Sequence, residues 1–336
     1  MRKPLLLGLM SLRLCAGEFT ITLIDESGRP LAGATVEATL SRSNDPRYSS
    51  MRSFEGVTGA AGTFRFKAEE DMCLIRLRAN KVGHIEADAD RRHGLGFPST
   101  PDHTFTLPRE VEGVPLAYKE VRLFSSDVKL PPKTWIGFDL AKGDLVAPRG
   151  VGEVSDILIW YEGIQTGWTM PIEDIEVMRK NSQHARKTDD EFALSYGAFS
   201  GLTRIKLDPS GSGIQRSPEF WDYSGLKMPP LAPLNGYIEQ LELPFRHGSP
   251  SSEQDKQVGF YLRLRPRHDA SGKLISAHFA KIQGRILTGY GWLVFRYYYN
   301  PAANDRRLVF DPQRNVLKPA RGAASPDLGR YQTNER

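Results

Sequence analysis

The chain has 336 residues, a length that predicts two domains, and its 40% hydrophobic and 25% charged residues are the balance of an ordinary globular protein. The formal net charge is +5, but three of the 45 basic residues lie within the first 17 positions, which leaves 42 against 40 acidic residues in the rest. A remainder so close to neutral argues against a nucleic-acid-binding surface, which needs clustered Lys and Arg.

The first 17 residues have the pattern of a signal peptide. A basic start is followed by a short apolar run over 4–12 and by small residues over 15–17, which offer a cleavage site before Glu18. The apolar run is too short to cross a bilayer, so no transmembrane span is predicted. We expect a protein of the periplasm, the cell surface or the extracellular space. A lipid anchor at Cys15 is an alternative, although Leu14 stands where a small residue is expected.

Residues 21–40 read as a strand, a tight turn and a second strand. Gly28 lies in the turn, where a positive φ is needed and a β-branched residue would be strained. Gly33 is expected to leave room for the close approach of a neighbouring strand. Thr58 and Gly62 then bracket a second tight turn ahead of a third strand.

This order of strands and turns resembles the carboxypeptidase regulatory-like domain, a small transthyretin-like β-sandwich. The family usually has Asp after the threonine of the second turn and Tyr after a later glycine, where this chain has Gly59 and His84. The resemblance covers residues 18–107. It implies an Ig-like or transthyretin-like sandwich that serves as a binding or structural module and carries no catalytic residues.

A second, larger domain is predicted over residues 118–316, after a linker over 108–117. Its apolar residues alternate over most of its length, which predicts an antiparallel, jelly-roll-like β-sandwich and an all-β protein. Residues 138–159 and 260–310 resemble uncharacterised exported bacterial proteins, a resemblance that implies no activity. The residues over 317–336 are rich in Pro, Gly, Ala and Arg and predict a disordered tail.

Several elements of the second domain are predicted individually. The pattern over 172–179 is compatible with a helix begun by Pro171. Early strands are expected over 121–124, 135–140, 154–161 and 192–196. The last third predicts a meander of four antiparallel strands, over 259–265, 273–286, 292–299 and 308–310.

A group of carboxylates gives the first candidate site. They are close in sequence, at Asp139, Asp144, Glu153 and Asp156. Carboxylate oxygens are the ligands that Ca²⁺ prefers, and a pair of carboxylates is what glycoside hydrolysis needs. Asp beside Gly or Ser also builds turns, so turn roles stay open for these residues. The candidate metal ligands are Asp139, Asp144 and Asp156.

Aromatic residues give the second candidate site. Trp221 and Tyr223 lie in a Pro- and Gly-rich loop, and Tyr298 belongs to an aromatic-rich strand. Exposed rings could bind a glycan or another cell-envelope protein, because contiguous exposed aromatics are uncommon in monomers. The alternative is that these rings pack across strands, with Trp221 as a lid on one end of the second sandwich.

These features predict a non-enzymatic binding or structural protein of the periplasm or cell surface. No cofactor or catalytic residue is predicted, since the sequence holds no Gly-x-Ser-x-Gly motif, no P-loop and no zinc-ligand spacing. The alternative is a secreted hydrolase that acts on glycans, with its site in the second domain. Carboxylates, or a Ser and a His, that converge in a pocket would favour the hydrolase.

Overall fold

A computed structural model describes residues 16–42, 50–69, 71–90, 101–124, 131–180, 196–208, 211–221, 223–246 and 258–317. The predicted signal peptide up to Cys15, residues 192–195 of a predicted strand and the chain beyond Leu317 lie outside these residues. Two compact units divide the chain. Of the described residues, the first unit contains those over 16–110 and 223–225, and the second contains those over 111–221 and 226–317.

The described part of the first unit has seven strands in two sheets. They are β1 (Ala16–Ile24), β2 (Thr35–Arg42), β3 (Arg52–Val57), β4 (Thr63–Glu69), β5 (Met72–Asn80), β6 (Ala87–Asp90) and β7 (Asp102–Thr106). One sheet has the order β4–β1–β7 and the other β3–β2–β5–β6. All pairs are antiparallel except β1 with β7. Their alternate apolar residues meet in one core that includes Ile21, Leu23, Leu40 and Leu77.

Tight turns of the first unit use glycine as the sequence predicts. Gly28 and Gly62 have φ angles of 79° and 70°, which other residues rarely adopt. At Gly62 a Cβ atom would also lie 2.6 Å from the carbonyl oxygen of Leu23. Gly33 was expected to leave room for a neighbouring strand, and this reason is wrong. Nothing lies within 4 Å of where its Cβ would be, and its φ of 73° is what favours glycine there.

The described part of the second unit adds eleven strands. They are β8 (Ala117–Phe124), β9 (Ile136–Asp139), β10 (Asp144–Leu145), β11 (Ile157–Trp168), β12 (Gly197–Leu207), β13 (Gly213–Arg216), β14 (Gln240–Arg246), β15 (Gly259–His268), β16 (Leu274–Gln283), β17 (Leu287–Gly289) and β18 (Trp292–Asn300). A five-stranded sheet has the order β10–β9–β11–β12–β14. A six-stranded sheet has the order β13–β15–β16–β18–β17, with β8 also paired to β18.

Both sheets of the second unit are antiparallel and share one apolar core. Phe138, Ile159 and Ile205 come from the five-stranded sheet, and Leu262 and Phe295 come from the six-stranded sheet. Buried and more exposed residues alternate along β14 and the first half of β11, because successive side chains of a strand point to opposite faces. In the six-stranded sheet, β15, β16 and β18 each contain four consecutive buried residues. The predicted fold class, two β-sandwiches in an all-β protein, is confirmed.

One helix, α1 (Ile172–Lys180), lies where the sequence was compatible with a helix. Acidic residues occupy its first turn and basic residues its last turn, which suits the helix dipole. Ile175 of this helix is buried and Ile172 is exposed. No helix among the described residues is long and apolar enough to cross a membrane.

The predicted four-stranded meander is wrong in its fourth strand. β15, β16 and β18 are antiparallel neighbours, but the residues over 308–310 make one isolated bridge, from Phe310 to Val114. The second edge of β18 is instead paired with β8 over eight residue pairs. Because β8 lies far away in the sequence, no local pattern indicates this pairing.

Candidate functional site

Two of the predicted carboxylates meet at the ends of neighbouring strands. Asp139 is the last residue of β9, Asp156 directly precedes β11, and both are buried. Arg265 of the opposite sheet reaches both of them. Its Nε lies 2.7 Å from Oδ1 of Asp156, and its Nη2 lies 2.8 Å from Oδ2 of Asp156 and 3.0 Å from Oδ1 of Asp139. We call these three residues the carboxylate cluster, and it links the two sheets.

Backbone N–H groups bind the same carboxylate oxygens. Asp156 Oδ2 accepts a hydrogen bond of 2.9 Å from the N–H of Leu140. Asp139 accepts four further hydrogen bonds, from the N–H groups of Ala141, Lys142, Glu153 and Val154. Each of the four oxygens therefore has at least one N–H donor, which leaves these carboxylates little capacity to bind or attack a ligand.

Arg265 reaches the cluster because β15 is irregular at this point. Its φ is 48°, and the register between β15 and β16 shifts between Leu264 and Arg267. A bulge re-aims a side chain that would otherwise follow the alternation of its strand. The guanidinium also lies over the ring of Tyr299, 5.5 Å from the ring centroid. The backbone distortion thus places a cation between the two carboxylates.

Burial and pairing act in opposite directions on these groups. Burial raises the pKa of the Asp156 carboxyl, and the hydrogen bonds and charge of Arg265 oppose that rise. Burial also raises the pKa of Asp139, but the N–H groups of Glu153, Val154 and Lys142 and the charge of Arg265 together outweigh it and leave the pKa lowered. The hydrogen bond to Asp156 raises the pKa of Arg265, so its guanidinium stays charged.

Asp144 lies outside this cluster, which corrects the predicted metal site. It begins β10 and accepts hydrogen bonds from the N–H groups of Leu145 and Val151, at 2.8 and 3.0 Å. Asp144 therefore has the turn-building role that the sequence left open. Arg265 supplies the positive charge at the place where the sequence offered a candidate metal ion site. The described residues contain no group of three or more His, Cys, Asp or Glu side chains that could hold a metal ion.

The three aromatic residues that we predicted to bind a ligand are packed against the protein. Trp221 is 4% exposed, and Tyr298 is buried in a cluster with Leu116 and Phe310. Tyr223 belongs to the first unit, where its hydroxyl accepts a hydrogen bond from the N–H of Thr106. A buried ring cannot stack on a ligand, so the predicted platform is corrected at Trp221 and Tyr298. The alternative of packed rings describes them.

Two tryptophans that the sequence analysis did not single out lie on the outer face of the five-stranded sheet. Ile157, Ile159 and Tyr161 of β11 face the core, so the alternation turns Trp160 outward. Trp135 directly precedes β9, which pairs with β11. The two ring centroids are 6.2 Å apart and the ring planes are inclined by 37°. Trp135 is 42% exposed, which is high for so large an apolar side chain.

A charged pair extends this row across the next two strands. Trp160 stands opposite Arg204 of β12, and Arg204 stands opposite Glu242 of β14. The guanidinium carbon of Arg204 lies 4.3 Å from the ring centroid of Trp160, and its Nε lies 2.8 Å from Oε1 of Glu242. We call Trp135, Trp160, Arg204 and Glu242 the tryptophan face. It combines an exposed ring with a partly exposed donor, Arg204, and an exposed acceptor, Glu242.

Half of this site was readable from the sequence. The expected strands over 135–140 and 154–161 contain both tryptophans, and the alternation around Trp160 already gives its side of the strand. The sequence did not show that β9 and β11 are neighbours, and this pairing brings Trp135 to Trp160. Arg204 and Glu242 carried no signal, because charged residues on strands are usually just solvated.

Comparisons with known proteins add little to this geometry. No protein-family model matches the chain, and no curated protein matches it. Among solved structures, a DUF3823 family protein from Parabacteroides merdae is similar at 9% sequence identity, with a TM-score of 0.16. That match covers 83% of this chain and 95% of the other. A likeness this weak supports no statement about a site.

Proposed function

We propose that the protein is an exported, non-enzymatic binding protein and that the tryptophan face of its second unit binds a glycan. The observation that carries the proposal is the exposed ring of Trp135 beside Trp160 on a regular sheet face. One side of a pyranose ring presents C–H groups, which stack on an aromatic face while the hydroxyls stay solvated. Trp160 belongs to a strand and contacts Trp135, and a ring that is held in place loses little freedom when a ligand binds.

Packing alone accounts for only part of this arrangement. Trp160 lies between Trp135 and Arg204, and such cross-strand contacts stabilise a sheet and fix its register. Trp135 lies outside the strand and keeps much of its surface in water. Exposed apolar surface of this kind is typical of a contact site. The proposal therefore assigns the ligand contact to Trp135 and a supporting role to Trp160.

The hydrolase alternative loses support from the same geometry. Its candidate acids, Asp139 and Asp156, are bonded to Arg265 and to backbone N–H groups. An acid and base pair needs carboxyl oxygens that can reach a substrate. The tryptophan face contributes one carboxylate, Glu242, which is exposed and paired with Arg204. Binding without catalysis is thus the better use of these residues.

Binding should depend on Trp135 and not on exposed tryptophan in general. We expect Trp135→Ala to weaken retention on the glycan that the protein binds by about fivefold, because one stacking ring contributes on the order of 1 kcal/mol. Trp292, on β18 of the other sheet and 36% exposed, offers the matched control Trp292→Ala. Affinity electrophoresis through gels containing β-glucan, α-glucan, mannan or galactan measures both variants. If both variants were retarded by the gel as strongly as the unaltered protein, the tryptophan face would bind no glycan.

Export has a test of its own. The proposal follows from the basic start and short apolar run of the first 17 residues. N-terminal sequencing of protein from native cells should find a mature chain that begins near Glu18. A cytoplasmic chain that retains Met1 would remove export from the proposal without touching the binding face.

A further inference from the structure

The charged half of the tryptophan face has a fixed geometry. The Arg204 guanidinium lies against the ring of Trp160, and its Nε donates a hydrogen bond to Oε1 of Glu242. The side-chain amide of Gln240 donates to the same oxygen, at 3.2 Å. Arg204 thus has contacts on two sides, which orient its fork of N–H donors. Both side chains of the pair remain partly in water, 29% for Arg204 and 53% for Glu242.

The pair still has bonding capacity on its solvent side. Within the described residues, no other group bonds the Nη atoms of Arg204 or Oε2 of Glu242. A guanidinium edge and a carboxylate oxygen therefore lie side by side, as donor and acceptor. Two adjacent hydroxyls match this arrangement, because one accepts a hydrogen bond from the N–H groups while the other donates to the carboxylate.

We propose that the tryptophan face selects a neutral oligosaccharide of at least two sugar units, with the vicinal hydroxyls of one unit on Arg204 and Glu242 and the apolar side of another on Trp135. This inference rests on the proposed glycan binding and specifies its ligand. Two strand spacings, roughly 10 Å, separate the positions of Trp135 and Arg204 in the sheet. One pyranose ring is too short to cover both, so the ligand needs a second unit.

Charge makes the face selective against acidic sugars. Glu242 neutralises Arg204 and would repel the carboxylate of a uronic acid. The same outer face also carries Lys206 and Glu162, each one row from Arg204, and Arg246, which is two rows away. Lys206 and Arg246 are exposed cations that would attract an acidic ligand. They define the competing outcome of the test, an acidic glycan bound at Lys206.

Paired polysaccharides test the selectivity. Each neutral glycan of the panel is compared with its C6-oxidised form, which differs only in its carboxylates. We expect the unaltered protein to bind the neutral form about tenfold more tightly, or by about 1.4 kcal/mol, because the carboxylate of Glu242 repels the carboxylates of the oxidised form. In Glu242→Gln the freed Arg204 should narrow or reverse this ratio. Arg204→Gln should weaken binding of the neutral form, and Lys206→Gln should leave the ratio unchanged.

Each other result contradicts the selectivity in a distinguishable way. Equal or tighter binding of the oxidised form, lost in Lys206→Gln, would overturn the neutral ligand while Trp135 dependence still upheld glycan binding. A ratio that stays the same in Glu242→Gln would overturn the role of the charged pair. If the protein bound none of the glycans, both proposals would be overturned. If it co-purified with an envelope protein, and Trp135→Ala abolished this, the ligand of the tryptophan face would be a protein and not a glycan. Tryptophan fluorescence melts confirm that each variant is folded.

Discussion

Arg265 and Arg204 belong to the same unit, and each pairs with a carboxylate across strands, yet their surroundings give them different capacities. Arg265 bonds two buried aspartates whose oxygens also accept backbone N–H groups. Arg204 bonds one exposed glutamate and lies on a tryptophan ring at the surface. Removing one partner of a buried, fully paired cluster destabilises the fold strongly, because it leaves a charge buried without its partner. A half-satisfied pair at the surface adds little stability but keeps donors and acceptors for a ligand.

The largest expected effect separates the two arginines. Arg265→Ala leaves Asp139 and Asp156 buried without their cation, and we expect the free energy of unfolding to fall by about 3–5 kcal/mol. Arg204→Ala removes a pair at the surface and should cost under about 1 kcal/mol. All five tryptophans lie in the second unit, so denaturation followed by tryptophan fluorescence reports on this unit. If the two variants lost similar amounts of unfolding free energy, the carboxylate cluster would depend on its arginine no more than the surface pair does.

A second contrast compares a buried tryptophan with an exposed one. Trp221→Ala should lower the free energy of unfolding by about 3–5 kcal/mol, because it leaves a cavity where a large ring was packed. Trp135→Ala should change stability by under about 1 kcal/mol. Acrylamide quenching provides the independent check. Restoring each tryptophan singly in a background without the others should give weak quenching for Trp221 and strong quenching for Trp135, and the reverse order would reject this assignment.

Lys281 differs from both arginines, because it is buried and no carboxylate of the described residues forms an ion pair with it. It lies on β16 between Tyr261 and Tyr298 in the register of the sheet, is 3% exposed, and sits 5.0 Å from the Tyr298 ring centroid. Burial lowers the pKa of its amine to about 7. The unfolded chain then holds more protons than the folded one between about pH 7 and 10.5, so stability rises with pH in this window.

The expected rise is about 2 kcal/mol between pH 7 and pH 9, from the linkage of one such group. Urea denaturation at these two pH values measures it. Lys281→Met keeps the length of the side chain, removes the titrating group, and should flatten the difference. A difference that persists unchanged in Lys281→Met would assign the pH dependence to another group.

The smallest expected effect concerns two turns of the first unit that share a positive φ. Gly28→Ala should cost about 1 kcal/mol, because an L residue is strained in this conformation. Gly62→Ala should cost more, since its Cβ would also meet the carbonyl oxygen of Leu23 and the backbone nitrogen of Leu31 at under 3 Å. The first unit has no tryptophan, so fluorescence does not report on it, and differential scanning calorimetry measures its unfolding instead. Equal shifts for the two variants would show that the backbone of the Gly62 turn relaxes at little cost.

The candidate sites show where prediction from sequence ended. The carboxylates were recognised as a group, but Arg265 was not, because it reaches them through a bulge in a strand more than a hundred residues away. Of the aromatic residues considered as binding candidates, Trp221 and Tyr298 are buried, whereas Trp135, which was not considered, is exposed. The Pro- and Gly-rich loop around Trp221 left open both an exposed binding ring and a buried lid, and the folded chain covers the ring. A loop sequence indicates backbone conformation and says nothing about what packs over it.

The sequence by itself determined the β character of both units, the glycine turns at Gly28 and Gly62, and the side of its strand on which Trp160 lies. These features depend on φ angles and on the two-residue period of a strand, which neighbouring residues fix. Only the tertiary structure decided that β8 pairs with β18, that Arg265 meets Asp139 and Asp156, and that Trp135 stays exposed. Those outcomes depend on which distant strands become neighbours. Burial of the whole core selects that arrangement, and no single segment encodes it.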